Sequence, residues 1–167
     1  MISVLVRISF RSWCWFISAT SLLLLSYAYW LEYFQNLDPC PLCIFQRVIY
    51  IALCILSVTS ALHNPPRGLA RYIYGSFGGI FSFIGILIAS RHLWLQSLPS
   101  DKVPECGPGL DYLIEMFSFL EMLRKVLTGS GECATVDWEF LYLSMPAWAL
   151  IWFFILGVLF VFSALKK

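Results

Sequence analysis

Four long apolar runs leave this chain few ways to fold. Residues 13–31, 44–62, 72–90 and 146–165 are each roughly twenty residues long, the length a helix needs to cross a bilayer. Trp13 to Leu31 carries no formal charge and would span about 29 Å as a helix. The whole sequence is 60% hydrophobic and only 13% charged, too few polar residues to cover the surface of a soluble domain this long. The expected fold is therefore all-α: a polytopic membrane protein built as one four-helix transmembrane bundle. The first run, preceded by Arg7 and Arg11, also has features of a signal peptide, with Ser26 and Ala28 suited to cleavage. Its length and its Trp and Tyr content favour a retained span.

Charge sets the expected orientation. Net charge is only +1, which gives no reason to expect a nucleic-acid partner. All ten acids lie within Glu32–Asp38 or Asp101–Glu139, whereas Arg7, Arg11, Arg67, Arg71, Lys166 and Lys167 lie at the opposite ends of the spans. The positive-inside rule puts those six cations and both termini in the cytoplasm. Residues 32–43 and 93–144 then form the outer loops. Within the longer loop, a helix is expected from about Leu110 to Leu127. Leu113, Ile114, Phe117, Leu120 and Leu127 mark its apolar face, and Asp111, Glu115, Ser118, Met122 and Lys125 the other. Gly129-Ser130-Gly131 should end it and leave Cys133 on a flexible tether. In the third span Gly75, Gly78, Gly79 and Gly85 are expected to let helices pack closely.

Asp38-Pro39-Cys40-Pro41-Leu42-Cys43-Ile44-Phe45-Gln46-Arg47 is the chemically distinctive stretch. The prolines restrict the loop, and a helix should begin at about Leu42 or Cys43. Unpaired N–H groups and the positive dipole end in its first turn favour a thiolate. Arg47, one turn after Cys43 on the same face, adds a fixed cation. A charge inside a span is costly, so Arg47 needs a partner: the Cys43 thiolate, an acceptor carbonyl, or both.

Of six cysteines, Cys14 and Cys54 fall inside apolar runs and read as small packing residues. Cys40, Cys43, Cys106 and Cys133 form an even outward-facing set, able to make two disulfides in an oxidising compartment. Three uses are open. Zinc is disfavoured because the second pair lacks Cys-x-x-Cys spacing. Structural staples in a four-span scaffold are possible, but a Cys-x-x-Cys bridge closes too small a ring to remove much unfolded-state entropy. The third use is a thiol–disulfide relay, whose electrons must finally leave on something else. In a bilayer a lipid-soluble quinone fits, with Arg47 and His92 placed at the membrane edge to hold it.

Cys40-Pro41-Leu42-Cys43 with Arg47, Arg91-His92-Leu93-Trp94-Leu95-Gln96, Cys106-Gly107-Pro108-Gly109-Leu110, Gly129-Ser130-Gly131-Glu132-Cys133, Trp138 and Ser144-Met145-Pro146 together resemble the bacterial disulfide bond formation protein B (DsbB) family. The motifs keep their order from the first span to the last. The resemblance implies an enzyme of the bacterial inner membrane that reoxidises a periplasmic DsbA-like thioredoxin-fold oxidase and reduces ubiquinone or menaquinone, with no metal. It implies that Cys106 is attacked by the partner, that Cys133 resolves the mixed disulfide and passes electrons to Cys40–Cys43, and that Cys43 stands nearest the quinone. Arg47, His92 and Met145 occupy positions the family associates with the quinone.

Overall fold

The computed structural model describes residues 9–103, 112 and 115–166. Four helices form the body: α1 (Phe10–Gln35), α2 (Pro41–His63), α3 (Leu69–Gln96) and α5 (Met145–Leu165). A shorter helix, α4 (Phe119–Thr128), lies between α3 and α5. The four long helices contain 21 to 28 residues, or roughly 32 to 42 Å, and each is long and apolar enough to cross a membrane. Each extends beyond the apolar run that defines it in the sequence, because the helical backbone continues into the polar ends.

Local chemistry sets the ends. Ser9 caps α1 by accepting the Ser12 N–H, and Asn36 closes it in the left-handed conformation. Asn64 does the same for α2, before the Pro65-Pro66 turn. Pro146 stands in the first turn of α5, where its missing N–H costs nothing.

Around the bundle α1 touches α2 and α5, and α3 touches α2 and α5, so the four helices close into a ring. Ile17, Leu25, Tyr50, Leu53, Phe153, Leu156 and Phe160 fill its centre. The closest seam is α3 against α5. A Cβ placed on Gly78 would stand 2.4 Å from the Phe160 ring, and one on Gly85 2.7 Å from the Phe153 ring. Those two glycines therefore serve as the receptacles for two large rings, as the small-residue spacing predicts. Leu23, Phe83, Leu87 and Phe154 point outward from the bundle, the pattern of a protein whose solvent is lipid.

The loop helix departs from the sequence expectation. Residues 110, 111, 113 and 114 lie outside the described residues, but the chain bends at Phe117 and α4 starts only at Phe119. Ser118 and Glu121 form a capping box there, which gives the backbone a reason to start the helix anew. The buried face is Met122 and Val126, while Leu120 and Leu127 are exposed, so the face assigned from periodicity is rotated. Met122 and Val126 pack on Leu42, Ile88 and Leu95 at the polar end of the bundle. Arg91 fixes the arrangement by donating to the α4 carbonyls of Leu127 (3.0 Å) and Thr128 (2.9 Å), with its guanidinium over Trp94.

A two-residue hairpin leads into α5. Glu139 pairs with Ser144 and Phe140 with Leu143, and Leu141 and Tyr142 both take positive φ at the turn. Trp148 Nε1 holds the Phe140 carbonyl at 3.0 Å, which fixes the hairpin beside the start of the helix.

Candidate functional site

The loop from Leu37 to Cys40 delivers the first sulfur to the start of α2. The helix begins at Pro41, slightly earlier than expected, and Cys40 itself is the N-cap. Its Sγ accepts the Cys43 N–H at 3.4 Å, so one first-turn donor expected to be free belongs to the neighbouring cysteine. The Cys40 thiol also donates to Cys43 Sγ at 3.1 Å, and the two sulfurs are unbonded.

His92 comes from the last turns of α3 and meets this pair. Its Nε2 lies 3.7 Å from Cys40 Sγ, and its Nδ1 lies 3.3 Å from the Gln46 side-chain amide. The ring is only 3% exposed, a buried neighbour of the sulfurs at the polar end of the bundle. Gln46 is buried as well, one turn inside α2. In sequence it is a polar residue within the apolar second run, and a polar side chain buried there needs a polar partner.

Cys133 corrects the expectation of a flexible tether. It is 0% exposed and packs with Cys40, Leu42, Leu95 and Val126. Gly129 turns the chain at φ 86°, and a Cβ there would meet Leu95 at 2.3 Å, so the Gly-Ser-Gly stretch is a fitted turn under the end of α3. A hydrogen bond to the Cys40 sulfur, followed by burial, holds the Cys133 pKa well above the usual thiol range. Cys106, along with Arg7 and Lys167, lies outside the described residues.

Arg47 has a partner the sequence reading did not assign. Its Nη1 donates to the Glu32 carboxylate from the end of α1, and its Nη2 donates to the Ala28 carbonyl at 3.3 Å. The guanidinium lies 4.8 Å from the centre of the Tyr29 ring. Glu32 reads in sequence as a loop acid. Because α1 continues to Gln35, Glu32 becomes helical and turns toward α2.

One open cleft at the polar end of the bundle is lined by Cys40, Cys43, Arg47, His92, Met145 and Trp138 among others. A second cleft shares Ala28, Cys43, Arg47, Trp138 and Met145, and is also lined by Leu24, Tyr27, Tyr50 and Trp152. A polar, sulfur-bearing cleft thus adjoins an apolar, aromatic one. Gln96 braces the rim, accepting from Ser144 Oγ at 2.8 Å and donating to the Thr135 carbonyl at 3.3 Å. Of the other cysteines, Cys14 is buried beside Phe10 and Ala61, and Cys54 sits against Ser18; both are unbonded and remote from the cleft.

Fold and site together define a multi-pass helical membrane protein with a thiol cluster at one end of its bundle. The family described as disulfide bond formation protein DsbB matches residues 10–163. The chain belongs to that family. Its relatives include the disulfide bond formation protein B of Hahella chejuensis, 42% identical over 144 residues and covering 86% of this chain and 87% of that protein. The protein of the same name from Acinetobacter baumannii is 42% identical over 90% of this chain and 88% of its own. That of Nitrosococcus oceani is 44% identical over 92% and 90%.

Proposed function

We propose that this protein is a quinone-dependent thiol oxidase of the bacterial inner membrane that reoxidises a periplasmic DsbA-like thioredoxin-fold protein. The observation that carries the reading is the meeting of Cys40, Cys43, Arg47, His92 and Met145 on one cleft, with Cys133 packed behind Cys40. The distribution of acids and cations supports an orientation with the sulfurs on the periplasmic side and both termini in the cytoplasm.

In this scheme a thiolate of the reduced partner attacks Cys106 Sγ of a Cys106–Cys133 disulfide. The mixed disulfide forms and Cys133 leaves as a thiolate. Resolution oxidises the partner, and its two electrons pass to the Cys40–Cys43 pair. Contact between Cys133 and Cys40 supports a handover in which Cys133 Sγ attacks Cys40 Sγ and Cys43 departs as a thiolate. Cys43 lines both the polar cleft and the apolar one beside it.

The cleft fits a quinone in its chemistry: aromatic and aliphatic walls for a ring and tail, and a guanidinium at the mouth for a carbonyl oxygen. When bound, a quinone supplies the sink for two electrons and two protons. The protein's part is to hold Cys43 and the Arg47 cation on the same cleft. His92, beside Cys40 and fixed by Gln46, is placed to accept or return a thiol proton.

The test is quinone reduction by detergent-solubilised protein supplied with reduced partner. Cys43→Ser should abolish it while the protein stays folded and membrane-bound. Cys133→Ser leaves Cys106 as a free thiol, which should attack the disulfide of added oxidised partner and accumulate a mixed disulfide through Cys106, because the thiol that would resolve it is gone. Full oxidase activity without Cys43 would refute the scheme, and a complex trapped through Cys40 instead would reverse the order of the two pairs.

A further inference from the structure

Cys40 Sγ, Cys43 Sγ and His92 Nε2 all lie within 4.8 Å of one another. Cys40 Sγ is 3.1 Å from Cys43 Sγ and 3.7 Å from the imidazole nitrogen. A tetrahedral cation about 2.3 Å from each sulfur and about 2.0 Å from nitrogen needs S···S near 3.8 Å and S···N near 3.5 Å. The Cys40–His92 edge, at 3.7 Å, is close to that, and the Cys43–His92 edge lies within 4.8 Å. The sulfurs must part by roughly 0.7 Å, a small rotation for Cys43, which is only half-buried and faces the cleft.

A second feature points the same way. Gln46 engages Nδ1 of His92 and leaves Nε2 turned to the sulfurs. A ligating imidazole is ordinarily oriented in this manner, its other ring nitrogen donating to an oxygen. A flip of the Gln46 amide presents that oxygen. Leu42, Ile88 and Leu95 wall the cluster on its inner side, and the cleft gives a path of entry.

We propose that the reduced Cys40–Cys43 pair and His92 form a binding site for a zinc-class divalent cation, and that its occupation arrests the relay. Two thiols and one cation give a metal dithiolate and two released protons, with no electron transferred. Both sulfurs are then metal-bound thiolates, and the Cys40–Cys43 disulfide cannot form until the cation is removed. The consequence for turnover rests on the redox reading above; the binding itself does not.

Cobalt(II) is the probe, added anaerobically to full-length protein that has been reduced and freed of reductant. Reduced wild type should give the sulfur-to-cobalt charge transfer and visible bands of tetrahedral cobalt at one equivalent, displaced by zinc. Oxidised wild type, identical in sequence, should give none. The Cys106→Ser/Cys133→Ser variant should keep the spectrum, Cys43→Ser should lose it, and His92→Ala should weaken binding at least about tenfold. Absence of the bands in reduced wild type would overturn the proposal. So would their survival in Cys43→Ser, or their loss with Cys106 and Cys133. Quinone reduction measured in chelator tests the redox reading separately: zinc should slow it in wild type and chelator restore it. Inhibition-free turnover with zinc bound would refute the arrest.

Discussion

The Arg47–Glu32 pair gives the sharpest prediction, because its geometry sets both a stability and a functional expectation. The two side chains are 12% and 23% exposed, between the regimes in which ion pairs are worth little and in which breaking them is severe. An exposed pair contributes about 0–1 kcal/mol, and orphaning one partner of a buried pair costs about 3–5 kcal/mol. At intermediate exposure a coupling of about 1–2 kcal/mol is expected, roughly a tenfold change in the folding equilibrium. Arg47→Ala also loses the bond to Ala28 and the contact with Tyr29, each about 0.5–1 kcal/mol, so it should be the more damaging single change. Denaturant titration of Arg47→Ala, Glu32→Ala and the double variant in one detergent measures the coupling. The double variant should be less destabilised than the sum of the singles by that amount. Additivity within about 0.4 kcal/mol would mean that the pair does not hold α1 to α2. Arg47→Lys keeps a charge for Glu32 but loses the planar fork. It should raise the quinone KM more than it slows thiol exchange. Unchanged KM and kcat in both Arg47→Lys and Arg47→Ala would remove Arg47 from the acceptor site.

Gly85→Ala should destabilise by about 2 kcal/mol net of its gain in helix propensity, because the Phe153 ring it displaces is buried and stacked 4.2 Å from Tyr50. Gly79→Ala, whose Cβ would meet only a Val161 methyl at 3.2 Å, should be neutral within about 0.5 kcal/mol; equal effects at the two sites in a thermal melt would contradict the packing argument. Since the Cys133 pKa is raised from about 9, alkylation of reduced Cys133 should climb about tenfold per pH unit through pH 9, where an ordinary thiol levels off. The linked stability is fully present below about pH 9 and is lost as pH rises toward the folded value, so unfolding should become easier only on the alkaline side; a plateau in alkylation at pH 9 would contradict the Cys40–Cys133 contact.

The sequence alone determined the four spans, since length and apolarity are local properties that a bilayer reads directly. It also determined that Gly78 and Gly85 would be packing surfaces, and that Cys43 and Arg47 would stand together, because residues four apart on a helix share a face. The motif series further marked the family that the match over residues 10–163 bears out. Contacts between distant segments were decided only by the tertiary structure. Glu32 reaches Arg47 because α1 runs about one turn beyond its uncharged stretch, and Gln46 reaches His92 because α2 and α3 pack side by side. Met122 and Val126, rather than Leu120 and Leu127, turn inward because the capping box restarts the helix at Ser118 and the Arg91 contacts set its rotation. Cys133 lies buried against Cys40 for a reason no periodicity contains: Gly129 takes a positive φ where a side chain would strike Leu95, a residue 34 positions earlier in the chain.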